Sequence, residues 1–315
     1  MLRQARPDVD IARWTEPEFL ALARGWIDEQ LAGHGLAVTG DLEQPHITKW
    51  STVLRVPTSA GPVWFKANDE SLKHEAGVTA LVAARQPAKV PPLLAADLDH
   101  GWMLMADAGR RLREVLPEDG SMDRWLGALR SVAEIQIDCE DSVDELLALG
   151  VPDMRLTTLP EAYDRLAHEL DLEPRFRAAT PYVEELCDRL APYGIRETVQ
   201  HDDLHDGQVY VKDGTDLIMD WGDVCVSHPF FTLSVALEGV IAWGLDDVED
   251  SVDTAPFRDA YLAPYAAAYP SLSSDDLEAA VDAALRLGWA CRFVNGLVPG
   301  DDPGPRLRMF LDGRA

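Results

Sequence analysis

The chain has 315 residues, 47% hydrophobic and 26% charged, which is enough to bury a large core and to divide into about two domains. Its 28 Lys plus Arg against 55 Asp plus Glu leave a formal charge of −27, which repels nucleic acid and anionic lipid and favours cationic partners. No apolar run is long enough to cross a membrane, residues 1–7 lack a signal-peptide core, and Cys139, Cys187, Cys225 and Cys291 show no metal-like spacing, so a cytoplasmic protein with reduced thiols is expected.

After an N-terminal helix, residues 51–58 and 62–67 read as a hairpin turned at Ser59, Ala60 and Gly61 and preceded by a polar loop from His46 to Ser51. Lys66 lies near the end of the apolar and aromatic strand 63–67, where a lysine by itself is most simply a solvated edge residue. Nine residues on, Glu75 opens the helical pattern Val78, Leu81, Val82, and a helix packed across the strand brings its carboxylate towards the ammonium. Residues 91–97 and 101–109 follow, the second a Met-rich strand ending in small and acidic residues, of which Met103, Leu104 and Met105 read by themselves as core. Helical spacing covers 123–135 and, in stretches broken by Pro174 and Pro181, 156–190; further helices are expected over 231–244, 256–269 and 275–294, the last started by a Ser-Ser-Asp-Asp cap.

Two acidic clusters lie between these helical halves: His201-Asp202-Asp203-Leu204-His205-Asp206-Gly207-Gln208 and Asp220-Trp221-Gly222-Asp223. The segment joining them is two β-prone runs around Asp213-Gly214, a hairpin signal that brings both clusters to one open end. A three-residue loop places Gln208 opposite Asp220, and a two-residue turn makes them diagonal neighbours. Two converging oxygen donors suit Mg²⁺, which takes carboxylate and amide oxygens and usually few protein ligands. Asp203, five residues before Gln208, is then placed to accept a proton from a hydroxyl. Alternatively His201, Asp202, His205 and Asp220 form a transition-metal site of a hydrolase, a reading weakened by the lack of a third histidine cluster nearby.

His201-x-Asp203-x-x-x-x-Gln208 followed by Ile218-Met219-Asp220-Trp221 resembles the catalytic loop and metal-binding segment of the aminoglycoside phosphotransferase family, relatives of choline kinases and, more distantly, of protein kinases. Asp202 stands where that family usually has Gly, and Gln208 where it usually has Asn, a glutamine shared with the maltokinase-like and glucosamine-kinase-like branches. The resemblance implies an α+β, bilobal, protein-kinase-like fold, with a β-rich nucleotide-binding lobe over 1–105 and a helical lobe with an embedded catalytic hairpin over 106–315. It further implies ATP and Mg²⁺ as cofactors, Lys66 on the phosphates oriented by Glu75, Gln208 and Asp220 on the metal, and Asp203 as base. Met105 would back the adenine, Ala106 and Ala108 would read its edge through backbone groups, and the Ser51 hydroxyl would touch phosphate. His201 would brace the loop, His205 would brace it or lean into the acceptor site, and Asp223 would support the metal from behind a ligand.

The expected activity is therefore transfer of a γ-phosphoryl group to a hydroxyl of an aminoglycoside-like or amino-sugar-like acceptor, with no obligate protein partner. A neutral-sugar or amino-alcohol kinase and an inactive kinase-like binding protein are the alternatives, and the full set Lys66, Glu75, Asp203, Gln208 and Asp220 argues against decay. The acidic run holding Asp246, Asp247, Glu249 and Asp250 either receives acceptor amines or is simply a solvated loop.

Overall fold

The computed structural model describes residues 11–170, 172–239, 253–298 and 301–313. The chain gathers into two compact units: Arg6–Arg110 with Tyr210–Gly222, and Arg111–Val209 with Asp223–Ala315. The sequence suggests one crossing, between 105 and 106; among the described residues the chain crosses three times, and the central hairpin groups with the N-terminal unit.

In that unit, helix α1 (Pro17–Gly33) precedes strands β1 (Glu43–Ile47), β2 (Ser51–Thr58) and β3 (Gly61–Asn68), then helix α2 (Glu75–Arg85) and strands β4 (Leu93–Asp97) and β5 (Trp102–Ala106). The five strands form one antiparallel sheet in the order β1-β2-β3-β5-β4. The β2–β3 turn is tighter than the sequence suggested, because Gly61 already pairs with Thr58 and only Ser59 and Ala60 are left in the loop. Strand alternation decides the faces. Leu54, Val56, Val63, Phe65 and Ala67 pack with Ile27 and Leu31 of α1. The intervening residue Lys66, paired with Val53 and Met103, therefore falls on the opposite face, where Met103 and Met105 pack with Ala76 of α2. Lys66 is thus a half-buried residue of an inner strand, not an edge lysine.

The hairpin strands are Val209–Lys212 and Thr215–Ile218. Their loop is the two residues Asp213 and Gly214, both at positive φ (49° and 82°), the backbone of a type I′ turn, which selects the diagonal of the two registers.

The second unit is mainly helical, with helices Asp123–Asp138, Leu159–Glu169, Thr180–Leu190, Ala255–Ala268 and Ser274–Gly296 among its described residues. The helical stretches are broken where Pro174 and Pro181 stand, and each proline opens a helix, in the first turn where its missing N–H costs nothing. Ser273 and Asp276 close a reciprocal capping box at the start of Ser274–Gly296, whose inner face is buried from Leu277 to Gly296. Gly288 lets this helix approach Ser234 and Phe231: a β-carbon there would lie 2.8 Å from the Phe231 carbonyl. Ser234–Gly239 is a π-helical turn where the sequence suggests an α-helix over 231–244. All four cysteines are buried and outside any disulfide, with the sulfurs of Cys225 and Cys291 3.7 Å apart. No helix among the described residues is long and apolar enough to cross a membrane.

Candidate active site

The N-terminal unit gathers three of the expected residues on one ammonium. Lys66 Nζ donates to Glu75 Oε1 at 2.7 Å and to Asp220 Oδ1 at 2.8 Å. The second Glu75 oxygen accepts from Asn68 Nδ2 at 2.9 Å, so this carboxylate, 2% exposed, is held at both ends. Burial pushes Glu75 up to about 7, against the pull of Lys66. Burial also opposes the charge on Lys66, but the Asp220 and Glu75 carboxylates outweigh it and its pKa is raised. Asp220 is 44% exposed and sits at φ +63°, in the left-handed region that Asp enters more readily than most residues with a β-carbon. Just beyond it, a β-carbon on Gly222 would come within 3.1 Å of Glu75 Oε2, so the chain passes too close for a larger residue without displacing that carboxylate.

The expected purine contacts are only partly open. Met105 is buried on the Lys66 face of the sheet, and the Ala106 N–H already donates to the Pro92 carbonyl at 2.9 Å, so any purine contact at Ala106 falls to its carbonyl. Next to them Asp107 accepts from Trp64 Nε1 at 2.9 Å and from Lys212 Nζ at 2.6 Å. Ser51 is buried, and its hydroxyl lies 3.3 Å from Thr48 Oγ1, which also accepts from the Ser51 N–H at 3.0 Å; the turn is closed on itself.

The second unit holds the loop with the expected base. His201 is fully buried, and its Nδ1 lies 3.4 Å from the Asp203 N–H, the bracing position. Asp203 Oδ1 accepts from Arg292 Nη2 at 2.7 Å, while Oδ2 has only longer contacts, 3.4 Å to Gln208 Nε2 and 3.8 Å to His205 Nε2. Asp202, 1% exposed, accepts from Asn295 Nδ2 at 2.9 Å and is raised to about 6 by burial, despite Arg292 and Asn295. Asn295 also donates to the Asp223 carbonyl at 2.7 Å, and Arg292 Nη1 lies 3.5 Å from a carboxylate oxygen of both Asp202 and Asp223. Three aspartates thus share one guanidinium. Asp223 turns its carboxylate to Arg292.

His205 Nδ1 accepts from the Gly207 N–H at 2.9 Å and lies 2.9 Å from Arg113 Nη2, which also donates to Asp206 at 2.8 Å. Two donors on Nδ1 fix the neutral tautomer with its proton on Nε2, on the side of Asp203. Burial lowers the His205 pKa, consistent with that neutral form.

Sequence reasoning missed Arg292, Asn295 and Arg113. The available signal was the pair Arg292 and Asn295, three apart and polar inside the otherwise apolar run 287–297, a spacing that puts both on one helix face. Asp246, Asp247, Glu249 and Asp250 lie outside the described residues. Among the described residues no three His, Cys, Asp or Glu side chains are grouped to hold a metal ion, which leaves the transition-metal cluster of a hydrolase without support.

The description "Phosphotransferase enzyme family" matches residues 46–274, well over half the chain, and spans both units. The chain belongs to the phosphotransferase enzyme family. It is a small-molecule kinase, a phosphotransferase acting on hydroxyl acceptors. Its fold is shared by solved structures of low identity. Plasmodium vivax ethanolamine kinase is 11% identical, with 99% of this chain and 92% of that one covered at a TM-score of 0.65. Macrolide 2′-phosphotransferase type I is 16% identical, with 95% and 98% covered and a TM-score of 0.56. The ternary complex of streptomycin, ATP and APH(2″)-IIa is 12% identical, with 93% and 94% covered and a TM-score of 0.54. No curated protein matches the phosphotransferase.

Proposed function

We propose that the phosphotransferase moves the γ-phosphoryl group of ATP to a hydroxyl of an amine-bearing acceptor of the aminoglycoside or amino-sugar class. The observation that carries the donor half is the convergence of Glu75 and Asp220 on Lys66. An ammonium held between a buried and an exposed carboxylate is preorganised to grip phosphate oxygens, since its position is set before the ligand arrives. The acceptor half rests on the net charge of −27, which draws cationic solutes, and on fold neighbours of which one is an ethanolamine kinase and another is solved with streptomycin and ATP, ethanolamine and streptomycin both being amine-bearing.

The remaining roles follow from the same residues. Each unit carries one of the two proposed Mg²⁺ ligands, the amide of Gln208 and the carboxylate of Asp220, which are the kinds of oxygen donor that ion prefers. Bound there, the ion would neutralise phosphate charge. Asp203 accepts the hydroxyl proton as the acceptor oxygen bonds to phosphorus and the bond to the leaving ADP oxygen breaks. His205, neutral and pinned by Gly207 and Arg113, keeps a donor on the Asp203 side.

A coupled assay of ADP release tests this, with Mg²⁺, ATP and a panel of aminoglycosides, amino sugars, neutral sugars and amino alcohols. Turnover that requires an amine-bearing acceptor is expected. Turnover only with neutral sugars would reject the acceptor class, and absence of nucleotide binding would reject the donor half.

A further inference from the structure

We propose that Arg292 is a positioning residue of the reaction: it pins Oδ1 of Asp203 so that Oδ2 is the oxygen that takes the acceptor proton. The inference rests on the reading of Asp203 as base. Arg292 comes from helix Ser274–Gly296, where its neighbours Cys291, Phe293 and Val294 are buried, and it is itself 8% exposed. A guanidinium in such a place is costly unless paired, so its partners show what it is for.

One alternative is that Arg292 merely neutralises the buried carboxylate of Asp202. The distances favour the base. The short contact, 2.7 Å, goes to Asp203, while Asp202 and Asp223 each lie 3.5 Å away. Asp202 has its own closer donor in Asn295 Nδ2, at 2.9 Å. The two oxygens of Asp203 are consequently unequal, Oδ1 in a charge-assisted bond and Oδ2 facing only the 3.4 Å and 3.8 Å contacts of Gln208 and His205. The guanidinium fork is planar and rigid and is itself held from two sides, Nη2 on Asp203 and Nη1 towards Asp202 and Asp223, so it fixes the point at which Oδ1 sits, which the flexible stem of a lysine would not. In the step itself the hydroxyl proton passes to Oδ2, the oxygen's electron pair forms the new bond to phosphorus, and the old phosphorus–oxygen pair leaves on ADP.

Replacing Arg292 alone leaves Asp202 buried beside no cation, so the comparison is made in an Asp202→Asn background, where that charge is gone. ADP release from MgATP, with water and with each panel acceptor, is measured for Asp202→Asn and for the Asp202→Asn/Arg292→Gln pair. Loss of positioning predicts kcat lower by about 10- to 100-fold with KM for ATP within about 3-fold, the signature of an interaction needed in the transition state. A kcat in the pair equal to that of Asp202→Asn alone would mean that Arg292 only balanced Asp202, and would overturn the proposal. In an Asp203→Asn background Arg292→Gln should cost nothing further; a second, additive loss would also overturn it. A crystal structure of the pair gives a readout independent of turnover: the Asp203 carboxylate is expected to turn from its present plane, and an unchanged orientation would sink the idea. If Asp203→Asn retains wild-type turnover, the base assignment itself fails, an outcome visible before Arg292 is touched.

Discussion

Each unit builds a charged cluster around one cation, and the two clusters are built differently. In the N-terminal unit a lysine stands between two carboxylates, one 2% and the other 44% exposed, so one side of the cluster is fixed and the other is open to solvent. In the second unit an arginine serves three aspartates, with Asp202 buried beneath it and Asp203 and Asp223 partly exposed. A lysine is a point charge on a flexible stem that can follow a ligand, whereas an arginine is a rigid fork that sets the geometry of what it touches. On the proposed reading, the lysine cluster would receive phosphate and the arginine cluster would hold the base still, so the donor half would tolerate adjustment and the acceptor half would not.

The largest effect should come from the arginine cluster. Asp203→Asn keeps the size of the side chain, and Arg292 retains Asp202 and Asp223, so the fold and nucleotide affinity should persist while kcat falls by about 10²- to 10⁴-fold. Turnover near wild type would remove Asp203 as base and with it the contrast between the units. Lys66→Ala should lower kcat/KM for ATP by about 10²-fold, the scale of losing one preorganised donor. The unit should remain folded, because solvent reaches Asp220, and Glu75, already raised to about 7, can take up a proton. Unfolding of Lys66→Ala at pH 6 would show that the lysine cluster is as rigid as the arginine one.

How much of this was legible depends on the sequence distance between partners. Lys66 and Glu75 are nine residues apart on a strand and the helix that follows, so strand alternation and helix onset bring them together on local grounds alone. Asp203, Gln208 and Asp220 fall within one loop and one hairpin, and the chemistry of hard oxygen donors marks them out. Arg292 is 89 residues from Asp203, and nothing local in an apolar helix says which carboxylates its guanidinium will meet. The edge-lysine reading failed for a related reason: whether a strand is inner or outer is decided by β5, which pairs with β3 only after the chain has passed through α2 and β4. The prolines were readable: the helical stretches are broken where Pro174 and Pro181 stand, each proline lying in the first turn of the next helix.

The buried carboxylates allow a finer comparison through pH. Asp202 has its pKa raised from 3.8 to about 6, chiefly by burial. A group raised in the folded state contributes stability that is fully present below its ordinary value and is lost as pH climbs through the raised one. Its loss between roughly pH 4 and 7 is on the order of 3 kcal/mol, from about two pKa units. Asp202→Asn is neutral throughout, so its denaturant midpoint relative to wild type should improve as pH rises over that window. A difference that stays constant with pH would show that Arg292 and Asn295 compensate Asp202 fully.

The smallest effect tests how far the rigidity of the arginine cluster extends along its loop. A β-carbon on Gly207 would come within 2.5 Å of Arg113 Cζ and 2.7 Å of His205 Cε1, so Gly207→Ala must displace one of the two. Arg113 is the softer, a long side chain that is half exposed, and it can swing away by giving up its contacts to Asp206 and His205. Partly exposed contacts of this kind are worth about 1 kcal/mol or less, so the thermal midpoint should fall only slightly. His205 would keep the Gly207 N–H on Nδ1, and hence its tautomer and its proton on the Asp203 side. Turnover should therefore drop by about 3-fold or less. A loss as large as that of Asp203→Asn would mean that His205, not Arg113, had yielded, and that the loop is held as tightly around the histidine as around the base.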